Sequence, residues 1–145
     1  MRDLALLPPV RPLPAAAGEL RSAVRDFLAA ERAAGRFVPA CDAWLSGWDT
    51  AFSRRLAERG WVGMTVPPEY GGPGRSALER YVVIEELLAA GAPVAAHWVS
   101  DRQIVPNLLR YGSETLKRRY RWRRRSPRAW CWPGPAWPSR PARSP

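Results

Sequence analysis

Apolar side chains recur at helical spacing through the middle of the chain. Leu20, Val24, Phe27 and Leu28 fall at i, i+4, i+7 and i+8, with Arg21, Arg25 and Asp26 on the other side. This predicts a helix from about Glu19 that Gly35 stops. A connection at residues 36–48 carries Trp44 and Trp48. A second helix is predicted from about Asp49 to Arg59, with Asp49 as N-cap, Gly60 just past its end, and Phe52 and Leu56 on one face. Ser76-Ala77-Leu78-Glu79 reads as a capping box and opens a third helix to about Ala90. Leu78, Tyr81, Val82, Ile84, Leu87 and Leu88 spread over a wide arc, which predicts a central core helix. After Gly91 and Pro93 a fourth helix starts near Val94 and carries Trp98, Val105, Leu108 and Leu109. Pro106 should kink or interrupt it, because proline lacks the amide donor and crowds the preceding turn. A fifth, short helix follows Tyr111-Gly112, with Ser113 as cap, Glu114 in its first turn and Lys117, Arg118 and Arg119 in its last, a charge order that suits the helix dipole.

No period-2 run of useful length appears, so the expected fold is an all-α helical bundle with disordered ends. Three segments are expected: a leader at 1–17, a helical domain at 18–120 and a tail at 121–145. Ten of the 16 prolines lie in the two end segments, which fits irregular flanks.

The net charge of +10 suggests a polyanion partner until its distribution is read. Residues 121–145 hold seven arginines and no acid, so the first 120 residues carry only +3, from 10 minus 7. The tail uses only Arg, Trp, Ser, Pro, Ala, Cys and Gly. All have G/C-rich codons, which reads as an out-of-frame stretch of a G/C-rich gene. Arginines interleaved with Trp122 and Trp130 would also suit phosphate contacts and base stacking. A helical interaction module with a nucleic-acid-binding tail is therefore the alternative function. It is the weaker reading, since half of the run Lys117–Arg128 completes a predicted helix, and nucleic acid is not the expected partner.

Cys41 and Cys131 form neither a disulfide framework nor a metal-ligand spacing. Leu4–Leu7 is too short for a signal peptide, and no run reaches the roughly 18 apolar residues of a membrane span. A cytoplasmic protein without membrane contact is expected.

The segment Gly60-Trp61-Val62-Gly63-Met64-Thr65-Val66-Pro67-Pro68-Glu69-Tyr70-Gly71-Gly72-Pro73-Gly74 is the most distinctive in the chain. It closely resembles a signature of the acyl-CoA dehydrogenase family. Leu56–Arg59 before it, Val83-Ile84-Glu85-Glu86-Leu87 after it, and Tyr111–Glu114 with Lys117–Tyr120 resemble the family's neighbouring segments in the same order. The resemblance covers about Glu19 to Tyr120. The reading of the signature itself is structural: Gly71, Gly72 and Gly74 to supply positive φ, Pro67 and Pro68 to hold an extended approach, and Trp61, Met64 and Val66 to anchor it.

The resemblance implies an FAD-dependent oxidoreductase acting on the CH–CH group of acyl-CoA thioesters, in fatty-acid or related acyl-CoA oxidation. In such an enzyme a carboxylate base removes the α-proton of the thioester while the β-hydride goes to the flavin, and both groups come mainly from middle β and C-terminal helical domains. It implies homo- or hetero-oligomers and an N-terminal domain that walls part of the acyl pocket. This chain is then expected to hold that domain alone, to be inactive by itself and to retain no FAD, with no catalytic, cofactor-binding or metal residue assigned. His97, Trp98 and Arg102 are the candidates for the pocket wall. As a lone histidine with no partner evident in a motif, His97 reads first as a packed residue. Asp101 and Arg102 can pair at a contact, with a solvated helix face as the default. Trp44, Trp48 and Trp61 read as core or interface aromatics. Gly71–Gly74 lacks the Lys-Ser/Thr of a phosphate loop.

Overall fold

The computed structural model describes residues 12–119. Seven α-helices follow one another: α1 (Ala15–Ala33), α2 (Ala43–Ser46), α3 (Thr50–Glu58), α4 (Ala77–Ala89), α5 (Ala95–Val99), α6 (Val105–Tyr111) and α7 (Glu114–Arg119). Among the described residues a 3₁₀ turn sits at Pro68–Tyr70 and a π-helical turn at Ser100–Ile104. Among the described residues there is no strand, only an isolated antiparallel bridge between Trp48 and Val94. The all-α expectation therefore holds.

Helix ends follow local chemistry. The Asp49 carboxylate accepts from the Phe52 amide at 2.9 Å and caps α3. At α4 the capping box is complete: Ser76 Oγ accepts from the Glu79 amide at 3.2 Å, and Glu79 accepts from the Ser76 amide at 2.9 Å. α1 starts four residues earlier than the apolar periodicity predicts. Pro14 precedes three alanines, its carbonyl accepting from Ala17 and Gly18, and Ala17 is itself buried. Alanine nucleates helix well yet adds little to an apolar pattern, which is why the start is hard to read. The expected leader otherwise lies at residues 1–11, outside the described part, as does all of the tail at 121–145.

The expected fourth helix is divided. α5 passes into the π turn, where the Val105 amide donates to the Ser100 carbonyl, and α6 follows with Pro106 in its first turn. A π turn inserts one extra residue and lets the chain continue past a residue that lacks a donor. Pro106 thus widens the helix instead of breaking it.

The core lies where α1, α3 and α4 meet. Val24, Phe52, Leu56 and Val83 are fully buried, joined by Phe27, Leu87 and Val94. The distinctive loop is part of this core, with Trp61, Val62, Met64 and Val66 all buried. Phe27 meets Trp61 edge-to-face at 5.4 Å and Phe37 meets Phe52 at 5.3 Å. Each such side chain contributes about 1.5–3 kcal/mol on burial. Two nearly buried acids cross the seams between helices. Glu86 of α4 takes Arg21 at 3.0 Å and Arg25 at 2.8 Å, while Glu31 of α1 takes Arg36 at 2.6 Å and Arg55 of α3 at 2.7 Å. With two guanidinium partners each, these carboxylates recover much of their desolvation cost.

The wide arc of α4 is only half used. Val82, Val83, Glu86 and Leu87 are buried, but Leu78, Tyr81 and Leu88 remain 41, 56 and 43% exposed. The tryptophans divide as well. Trp61 is core, Trp44 is partly exposed, and Trp48 is 61% exposed and does not join the core.

Candidate functional site

The loop at residues 60–74 is held by backbone geometry, by α7 and by the π turn. Gly71 and Gly74 have φ of +86° and +63°, as a turn requires, but Gly72 does not. Its role is proximity: a Cβ there would lie 2.1 Å from the Val66 carbonyl oxygen. The expectation of positive φ at all three is corrected at this position. Pro67 is extended, whereas Pro68 opens the 3₁₀ turn.

Two side-chain ties fix the loop to the second half of the chain. The Tyr70 hydroxyl donates to Glu114 of α7 at 2.9 Å, and Lys117 donates to the same carboxylate at 3.2 Å. These bonds hold the Glu114 carboxyl below its ordinary range and push the Tyr70 phenol up. The second tie comes from the π turn. Asp101 Oδ1 accepts from the Gly63 amide at 2.8 Å, and Arg80 of α4 donates to the Asp101 carbonyl at 3.2 Å. The Asp101 side chain is thus turned into the protein instead of lying on a solvated face. Burial raises its carboxyl above the usual range, against the opposing pull of Arg80 and the Gly63 amide.

His97 also faces inward. It is 6% exposed, and its Nδ1 lies 2.8 Å from Ser53 Oγ of α3. The Ser53 hydroxyl donates to the Asp49 carbonyl at 3.0 Å. A hydroxyl has one proton to give, so when Ser53 donates to Asp49 it accepts from His97 Nδ1–H, and in the other tautomer it donates to Nδ1. Burial lowers the imidazole pKa to about 4, so the ring is neutral at physiological pH. Ser53 is the partner that sequence patterns did not reveal; it stands 44 residues away with no motif around it.

Trp98 and Arg102, one turn apart, are brought together. The Arg102 guanidinium lies 4.4 Å from the Trp98 ring centroid, and Trp44 packs on Trp98 at 5.6 Å. Arg102 does not pair with Asp101, whose carboxylate is engaged by Gly63 and Arg80. So of the three expected wall residues, Trp98 and Arg102 form one stack, while His97 points to α3. A separate open groove of about 510 Å³ runs between residues 39–44 and 88–92, with Arg32 at its edge; it includes Trp44 but none of those three. No described residues form a cluster of His, Cys, Asp or Glu fit for a metal. No described helix is long and apolar enough to cross a membrane.

Comparison with known proteins agrees with this architecture. The family described as "Acyl-CoA dehydrogenase, N-terminal domain" matches residues 15–123. The acyl-CoA dehydrogenase FadE26 of Mycobacterium tuberculosis is 34% identical over 64 residues, 44% of this chain and 16% of its own length. The 3-sulfinopropanoyl-CoA desulfinase of Cupriavidus necator is 38% identical over 65 residues, again 44% of this chain and 16% of its own. Among solved structures, the Tcur3481–Tcur3483 steroid ACAD aligns with a TM-score of 0.58 and 32% identity, covering 75% of this chain and 28% of that one. The chain therefore spans about a sixth of the length of these curated relatives.

Proposed function

The chain belongs to the FAD-dependent acyl-CoA dehydrogenase family as an N-terminal helical domain, and from that premise we propose that it serves as one wall of the acyl pocket in such an enzyme. The observation that carries the proposal is the half-used α4 together with the Trp98–Arg102 stack. Leu78, Tyr81 and Leu88 of α4, Val99 of α5 and Ile104 of the π turn are exposed although they are large and apolar. Such a surface on a small bundle suits contact with other domains and with an acyl chain. Acyl-CoA is the proposed ligand, further copies or related chains the proposed partners, and the cytoplasm the proposed location.

The glycine-rich loop and the N-terminus of α4 do not offer a site for a flavin pyrophosphate. A flavin pyrophosphate needs free amides at a helix N-terminus or a phosphate-cradling loop. The N-terminus of α4, beside the glycine-rich loop, is closed by its own Ser76–Glu79 box, whose carboxylate would repel a phosphate. The amides at Gly72 and Gly74 are spent on the carbonyls of Pro67 and Val66. We therefore assign neither redox nor base chemistry to this domain. Its part is to hold apolar atoms, exclude water and present Trp98 and Arg102.

The direct test grafts residues 12–119 in place of the matching domain of a characterised acyl-CoA dehydrogenase. The expected result is a flavin-loaded enzyme with an altered preference among acyl-CoA substrates. A flavin-loaded graft with the unaltered substrate profile of its host would refute the pocket-wall role. The present chain alone should purify colourless and leave acyl-CoA unoxidised; a yellow preparation that bleaches with an acyl-CoA would contradict the division of labour.

A further inference from the structure

Most arginines packed against neighbouring helices here have an acid. Arg21 and Arg25 share Glu86, Arg36 and Arg55 share Glu31, and Arg80 takes Asp101. Arg102 does not: among the described residues it makes no ion pair. Instead it lies over Trp98 at 4.4 Å, an arrangement that orients the guanidinium plane and leaves its N–H groups uncommitted. Arg80 is close enough to add positive charge, and the Asp101 carboxylate between them is occupied by the Gly63 amide and Arg80. Arg80 itself is incompletely satisfied, with its Nε buried and without an acceptor. Two guanidiniums against one engaged carboxylate leave a net positive charge at the π turn.

From this arrangement we propose that Arg102, stacked on Trp98 and backed by Arg80, is an oxyanion-binding point on the pocket wall that takes a carboxylate or phosphate of the ligand. This rests on the pocket-wall reading above and adds a ligand class to it. Partial desolvation and then the Arg80 charge lower the Arg102 pKa, against a smaller opposing pull from Asp101, so an oxyanion would supply counter-charge that the cation has only in part. The planar fork matches a two-oxygen acceptor, which an ammonium would meet as a point charge only. Within the π turn consecutive residues take opposite tasks, with Asp101 bonded inward to Gly63 and Arg102 exposed.

The experiment uses the whole chain, observing the arginine Nε–H resonances by NMR during titration. One arm adds glutarate, standing for a carboxylate at the far end of an acyl chain. The other adds adenosine 3′,5′-bisphosphate, standing for the phosphates of the coenzyme. A saturable shift of the Arg102 signal in either arm is expected, and the arm that binds more tightly identifies the source of the oxyanion. Arg102→Ala should weaken that binding about tenfold or more, and Arg102→Lys should restore only part of it, since charge-assisted fork contacts exceed a point charge. Circular dichroism checks that both variants keep their helices. Titrations that never saturate, or that are unchanged in a folded Arg102→Ala protein, would overturn the proposal. Because no graft is involved, a failure here leaves the outcome of the domain-exchange test separate.

Discussion

The bundle has a dry half and a half that faces outward. α1, α3 and α4 surround Val24, Phe52, Leu56 and Val83, all of them inaccessible to solvent. α6 buries none of its residues, and Leu108 and Leu109 are only partly covered. The difference is what covers each helix. Phe52 of α3 packs on Phe27 of α1 and on Phe37, and Leu56 joins the same core, whereas α6 packs mainly on the π turn and α7, the elements next to it in the chain. An apolar stripe stabilises a fold only to the extent that something covers it.

The largest expected effect separates the two halves. Phe52→Ala should cost about 3–5 kcal/mol, because it removes a fully buried ring and leaves a cavity. Leu109→Ala in α6 should cost less than about 1 kcal/mol, because little area is lost. Urea unfolding followed by circular dichroism measures both. Equal losses would show that the outward half is as well covered as the core.

Next comes the pH dependence of the seam between α3 and α5. The His97 pKa is about 4 in the folded protein against 6.5 ordinarily. The unfolded chain therefore binds the proton more readily, and stability falls as pH drops from about 6.5 towards 4. The full effect is on the order of 3 kcal/mol. His97→Phe should flatten that slope. Asp101 acts in the opposite sense: its raised carboxyl pKa favours folding when protonated, so stability falls as pH rises above its ordinary 3.8. Asp101→Asn should make the acid-side loss steeper, which a series of melts between pH 4 and 7 reads directly.

Gly72→Ala tests how tightly the loop is bound to the core. The new methyl would meet the Val66 backbone, which has no flexible end to move, so a loss of about 1–3 kcal/mol is expected from thermal melting. A melt unchanged by the substitution would mean the loop shifts freely. The smallest effect is expected from Leu78→Lys with Leu88→Lys on the exposed side of α4. Stability should change by less than about 0.5 kcal/mol at each site, while binding of a hydrophobic dye and self-association both fall. Dye binding that persists would place the exposed apolar surface elsewhere.

The sequence by itself determined most helix ends, though not the early start of α1, the short α2 inside the expected connection, or the π turn between α5 and α6. Asp49, Ser76 with Glu79, and the glycines at 35, 60 and 91 act through bonds and dihedrals a few residues away, so their effects are written locally. The family resemblance was legible for a related reason, since the loop from Gly60 to Gly74 needs glycine, proline and aromatic residues in one order. Its four matching segments prove to be neighbours in space in at least one case, through Tyr70 and Glu114. Only the tertiary structure decided what the polar side chains do. Ser53 meets His97 across 44 residues and Gly63 meets Asp101 across 38. Neither bond follows from spacing, because each depends on how α5 and the π turn pack on α3 and the loop. The same holds for the two faces of α4. Val83 and Leu78 are both apolar and differ only in which of them met a neighbour, and burial is a property of neighbours.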